Sequence, residues 1–250
     1  MKILALDSSL GGCSVALWTD EGSPSSTGRV IAAQSESGAT GQAELLAPMI
    51  ARVAAAGDGG YGAIDRLAAT IGPGYFTGLR AGLAVARGLA LAMARPLVGI
   101  TTLLAVAAGI APADRRNRTV IVALDSKRSE AFFQLFASDL SPLSEPETMA
   151  PAVFAARLGA HPLAAQAPFL VAGNGTALLA PALDAAALAW SRASAPERPE
   201  AATVARLAHT APVPATPPAP LYLHAPATTS PRVGGVPRES ARARSLVGQS

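Results

Sequence analysis

Several short stretches carry residue types and spacings that could do chemistry. Asp7-Ser8-Ser9 closes a continuous apolar run, residues 3–6. An acidic residue at the end of a buried strand can face a metal-bound phosphate, and it can equally close a turn through its own side chain. Gly72-Pro73-Gly74-Tyr75-Phe76-Thr77-Gly78-Leu79-Arg80 is a tight turn feeding a helix. Arg80 sits near the start of that helix, where the macrodipole disfavours positive charge by about 0.3–1 kcal/mol. It reads either as a solvated arginine or as a salt-bridge partner for a carboxylate or phosphate. Asp125, Lys127, Arg128 and Glu130 form a charged turn, a solvated hairpin that could touch a ligand or a partner. Gly173-Asn174-Gly175 is a second turn, whose glycines permit positive φ.

Other chemistries lack their residues. No Walker A pattern follows a strand, no G-x-G-x-x-G opens a helix, and no H-E-x-x-H or G-x-S-x-G occurs. His161, His209 and His224 are scattered and read as surface residues, so neither a metal site nor a cofactor is expected; Asp7, Ser8 and Ser9 are the weak candidates for binding one. Cys13 is the single cysteine, which excludes an internal disulfide, and it lies in an apolar alternation as a small buried hydrophobe.

Strands are expected at residues 3–6, 13–18, 29–35, 67–71 and 97–100, with helices at 42–56 and 77–94. The order is strand, strand, strand, helix, strand, helix, strand. Three meandering strands extended by two crossover units give an α/β fold with the layout of a ribonuclease-H-like, actin-like (ASKHA) half-domain. Thr77 is expected to cap the central helix, and Arg95-Pro96 to end it. A second region starts near Thr101. It has a short helix over 103–111, a hairpin of 119–124 with 130–136, and a loop over 141–150. A helical piece at 154–158, a strand at 169–172 and a helix over 199–208 follow. The proline-rich connector 212–220 leads to Leu221-Tyr222-Leu223, and the composition of 225–250 predicts a disordered tail. No internal repeat is visible. The organisation is therefore 1–100, 101–224 and a tail.

The central helix carries small residues every four positions, at Gly78, Gly82, Ala86, Ala90 and Ala94. Such a face lets another backbone come close. Either the chain's own sheet or a second helix could fill that role.

A chain of 250 residues can bury a substantial core. The net charge of +3 comes largely from four arginines after residue 231, so no domain-wide basic patch argues for strong nucleic-acid binding. The N-terminus has no basic-then-apolar leader pattern, and no run of about 18 apolar residues lacks charges and breakers. A soluble cytoplasmic protein without a membrane partner is expected.

Together, residues 1–9, Cys13-Ser-Val-Ala-Leu-Trp18, Gly72-Pro-Gly-Tyr-Phe-Thr-Gly-Leu-Arg80, Gly99-Ile-Thr-Thr-Leu103 and Ala123-Leu-Asp-Ser-Lys127 resemble the TsaB family. The match runs in order over roughly residues 1–224, and the Gly72–Arg80 stretch is its most specific part. TsaB is the accessory, dimerisation subunit of the bacterial tRNA threonylcarbamoyladenosine machinery. The resemblance implies two actin-like domains, the second degenerate, and a pseudoenzyme with no catalytic residue. It implies pairing with a TsaD-like transferase, joined by a TsaE-like ATPase, with tRNA bound through the complex. Alone, the chain would form a homodimer. It places the partner interface on the two N-terminal helices, at Leu45, Leu46, Met49, Gly78, Leu79, Arg80, Gly82, Leu83, Ala86 and Ala90. On that reading Gly82→Leu abolishes pairing and leaves the monomer folded. Gln42, Tyr75 and His224 depart from the family's usual histidine, serine and arginine. A different class stays open beside it: a stand-alone actin-like nucleotide hydrolase or kinase using Asp7 and the turn of residues 72–78. A metal-dependent glycoprotease would need ligands the sequence does not supply.

Overall fold

The computed structural model describes residues 1–21, 28–38 and 41–224. The predicted tail, 225–250, lies outside the described residues.

The first half contains β1 (Lys2–Asp7), β2 (Gly12–Thr19), β3 (Arg29–Ser37), α1 (Gln42–Ala55), β4 (Arg66–Thr70), α2 (Phe76–Met93) and β5 (Leu97–Ile100). Its sheet has the order β3-β2-β1-β4-β5. β1 to β3 form an antiparallel meander, and β4 and β5 add in parallel on the other side of β1. The expected element order is therefore the observed one. β1 and β2 are apolar on both faces because both faces are covered.

The second half adds α3 (Thr102–Ala108), β6 (Val120–Asp125), β7 (Ala131–Phe136), β8 (Glu147–Met149), α4 (Pro151–Gly159), β9 (Phe169–Ala172), α5 (Thr176–Ala185), β10 (Trp190–Arg192) and α6 (Ala201–Thr210). Its sheet reads β8-β7-β6-β9-β10, the same scheme of meander and two parallel strands as the first. The sequence shows no repeat, yet the topology repeats.

The layers follow from which apolar faces meet. Leu4, Leu6, Leu67 and Ala69 pack against Leu46, Met49 and Val53 of α1 and Leu83 and Ala86 of α2. The opposite face of that sheet, with Ile3, Ala5, Ala16 and Val98, packs against Ala201, Val204, Ala205 and Ala208 of α6. α3 shares this middle layer and sends Leu103 and Val106 to the second sheet. α4 and α5 cover the far face of the second sheet through Phe154, Leu158, Leu179 and Leu183. The chain is thus five layers deep. α6, although late in sequence, belongs to the core of the first sheet.

α2 starts earlier than expected. Its N-cap is Tyr75, and Thr77 lies within the first turn without a capping bond. The cause is a contact from the end of β1: Tyr75 N donates to Ser9 O at 2.7 Å, which fixes the chain's direction before Thr77 is reached. α2 is long and apolar enough by composition to cross a membrane. Here it lies on the sheet, with Leu79, Leu83 and Ala86 buried.

After α6 the connector returns to α2 as a strap. Leu221 N donates to Ile71 O at 2.7 Å, and Arg87 donates to the Pro218 carbonyl.

Candidate functional site

The Asp-Ser-Ser triplet and the α2 entry come together, and the contact is internal. Asp7 is 4 % exposed. Its Oδ1 accepts from Ser9 N at 3.1 Å, Ser9 Oγ at 2.6 Å and Thr70 Oγ1 at 2.6 Å. Ser8 Oγ donates to Gly78 O at 2.7 Å. A Cβ on Gly74 would stand 2.4 Å from Ser9 O, so only glycine lets the turn come this close. The triplet ties β1, β4 and α2 to one another. It does not present the carboxylate and both hydroxyls to a ligand, as the cofactor reading requires.

Burial pushes the Asp7 carboxyl above its ordinary value of 3.8, against the opposing pull of the Ser9 and Thr70 hydrogen bonds. A carboxyl whose folded pKa is raised contributes its stability below the unfolded pKa and loses it as pH rises through the folded value. Above the unfolded pKa the group therefore costs stability, whether the folded chain holds it ionised or takes up a proton to bury it. Asp7→Asn keeps an oxygen for the same three donors. The variant is expected to melt above the wild type at pH 7–8, with the gap closing as pH falls towards about 4, when melting is followed across that range.

The row of small residues on α2 also faces inward. A Cβ on Gly82 would lie 2.2 Å from Ser8 Oγ and 3.3 Å from Leu6 Cδ1. Gly78, Leu79, Leu83 and Ala86 are buried, as are Leu46 and Met49 of α1, and Ala90 is half-buried against the same core. The expected partner contact through these residues is corrected: their partner is the chain's own sheet. Of the predicted interface residues, Leu45 and Arg80 are exposed.

Across α2 from the buried row lies a second one, also spaced by four: Ala84, Gly88 and Ala92, all exposed. Nothing lies within 4 Å of where a Gly88 Cβ would be. Leu91 beside it is 85 % exposed. α1 presents Ala47, Pro48, Ala51 and Ala55 outward in the same way. The outer surface of this helix pair is therefore rich in small apolar residues, with Leu91 standing out from it. Its cations are drawn to other parts of the chain: Arg80 Nε donates to Tyr222 Oη at 2.7 Å, Arg87 is engaged by the strap, and Arg52 Nε donates to Gln34 Oε1 at 3.0 Å. The second row was legible in the sequence, but nothing there said which of the two faced out.

Most of the remaining candidates are paired within the chain. Lys127 Nζ pairs with Asp125 at 2.7 Å, and Asp125 N donates to Asn174 Oδ1 at 3.0 Å. Asn174 Nδ2 reaches Tyr75 Oη at 3.3 Å, which links the two halves. His209 meets Asp20 at 3.0 Å, His224 faces Glu130 at 3.4 Å, and His161 accepts from Leu163 N. Among the described residues no group of three or more His, Cys, Asp or Glu side chains is placed to hold a metal ion. Cys13 is buried, with Sγ 3.5 Å from Met49 Sδ.

Comparison with known proteins gives a consistent picture. The family model for TsaD, tRNA N6-adenosine threonylcarbamoyltransferase, matches residues 36–212. The tRNA threonylcarbamoyladenosine biosynthesis protein TsaB of Escherichia coli is 33 % identical over 141 residues, 56 % of this chain and 56 % of that protein. TsaB of Haemophilus influenzae is 32 % identical over 133 residues, 53 % of this chain and 52 % of that one. The chain thus spans about half the length of the curated relatives it matches. Among solved structures, a Pseudomonas aeruginosa protein described by its similarity to peptidase YEAZ superposes with a TM-score of 0.72 at 26 % identity, covering 89 % of this chain and 99 % of that one.

Proposed function

The chain belongs to the family of the tRNA N6-adenosine threonylcarbamoyltransferase TsaD, and from that premise we propose that it is a non-catalytic scaffold subunit of a tRNA threonylcarbamoyladenosine machinery. It is TsaB-like: the relatives from Escherichia coli and Haemophilus influenzae both carry the name TsaB. In this reading it binds and activates a TsaD-like transferase that modifies the adenosine next to the anticodon in tRNAs reading codons that begin with A. A TsaE-like ATPase joins the pair, tRNA is met through the complex, and all of this takes place in the cytoplasm.

One observation carries the reading: the outer face of α1 and α2, where Ala47, Pro48, Ala51, Ala84, Gly88, Leu91 and Ala92 stand exposed, and where the arginines among them are held by the chain itself, Arg52 by Gln34 and Arg87 by the strap. A flat apolar face made of small residues suits close docking of another helix pair. The inward-turned Asp7 triplet supports a role other than phosphate chemistry. Without the transferase, the same face would pair two copies of this chain.

The test is co-purification with the TsaD-like protein of the same cell, then modification of tRNA with and without this chain. Complex formation, and modification that depends on this chain, are expected. A chain that pairs with nothing and hydrolyses ATP alone would overturn the reading in favour of an actin-like hydrolase.

A further inference from the structure

Between the entry of α2, the β6–β7 turn and the end of the strap lies a cleft of about 380 Å³. It is lined by aromatic rings and arginines. Phe76 is 51 % exposed and Tyr222 is 41 % exposed, with ring centroids 5.7 Å apart. The Arg80 guanidinium lies 3.7 Å from the Phe76 centroid. Its Nε is committed to Tyr222 Oη; its two terminal nitrogens have no partner among the described residues. Arg128 at the rim is exposed and likewise has none. The nearby acids are already engaged, Asp125 by Lys127 and Glu130 by His224.

The strap accounts for one Arg80 nitrogen and for the ring contact. It leaves unexplained the free guanidinium edge, the unpaired Arg128 and the exposed parts of the Phe76 and Tyr222 rings that Arg80 does not cover. An exposed aromatic face accepts any base, because every base has a flat π surface. An arginine fork matches the oxygens of a phosphate. The volume falls within the ~300–1,000 Å³ usual for small-molecule sites.

We propose that this cleft seats a nucleoside monophosphate, its base on the Phe76–Tyr222 wall and its phosphate on Arg128 and Arg80. The same unit occurs as a free nucleotide and as one residue of an RNA strand. The proposal is independent of the scaffold reading, because it is tested on this chain without a partner.

The test titrates AMP, adenosine and a short 5′-phosphorylated oligoadenylate into the full chain by calorimetry. Saturable binding of AMP or of the oligonucleotide is expected, with adenosine at least about tenfold weaker than AMP wherever AMP binds. Arg128→Ala touches no internal bond. It should keep the wild-type melting temperature and weaken binding at least about tenfold. Binding of AMP points to a free nucleotide, and binding of the oligonucleotide alone points to an RNA strand. Absence of saturation by either probe, or an affinity unchanged in Arg128→Ala, overturns the proposal whatever the outcome with the transferase.

Discussion

Gly82→Leu is expected to leave little folded protein. The first side-chain carbon alone would stand 2.2 Å from Ser8 Oγ. That oxygen cannot simply turn away, since it donates to Gly78 O from a site only 2 % exposed. Moving it leaves a buried carbonyl without its donor, at a cost of about 1–3 kcal/mol. The remaining carbons must enter a layer already filled by Leu6, Leu46 and Leu83, which adds about 1–3 kcal/mol or more of overpacking. Relative to a total stability of about 5–15 kcal/mol, the sum is large. Soluble yield and thermal melting measure it. Near-normal melting would mean that α2 does not lie on β1 as described. Gly88 is the control, because a methyl there meets nothing. Gly88→Ala should raise stability by roughly 0.5–1 kcal/mol through helix propensity alone.

Gly88→Trp should do the reverse of Gly82→Leu: the chain stays folded and pairing is lost. A Cβ at this exposed position meets nothing within 4 Å, so the indole it carries can extend outward from the helix. It does raise a bulky ridge in the middle of the flat row of Ala84 and Ala92. If a partner helix docks there, overpacking of about 1–3 kcal/mol weakens the complex roughly 5- to 150-fold. Titration against the TsaD-like protein, with melting of the isolated variant alongside, reads both quantities. Undiminished affinity with an unchanged melt would exclude the outer face of α2 as the contact.

The two variants also show what the sequence did and did not make legible. β1, β2, β4 and β9 are apolar runs bounded by glycine or acidic turns, and periodicity finds such runs. α5 escaped because Thr176–Ala185 is apolar nearly all round and carries Pro181, so it offers no polar face to give a helical period. β8 and β10 are three residues each and exist because β7 and β9 offer an edge. For the candidate site, spacing identified a helix made for close approach but not its orientation. α2 has small residues on two sides, and only the packing of Ser8 against Gly82 shows which one is buried. The Arg80–Tyr222 bond, across 142 positions, leaves no local trace. The triplet at Asp7 was visible as a motif, but its inward direction depends on Thr70, a residue no pattern singled out.

The place of α6 in the middle layer bears on how the protein can be made. As the chain leaves the ribosome, β1 to β5 and both outer helices are available long before residue 201. Until then Ile3, Ala5, Ala16, Trp18, Val98 and Ile100 have no cover on their α6 side. Closure of the first sheet therefore waits for α6, and the loop-closure entropy of joining residues so far apart in sequence is lost before that contact is made. A nascent or truncated chain ending before α6 would present a sticky apolar sheet face, the kind of surface that chaperones hold and that aggregates without them.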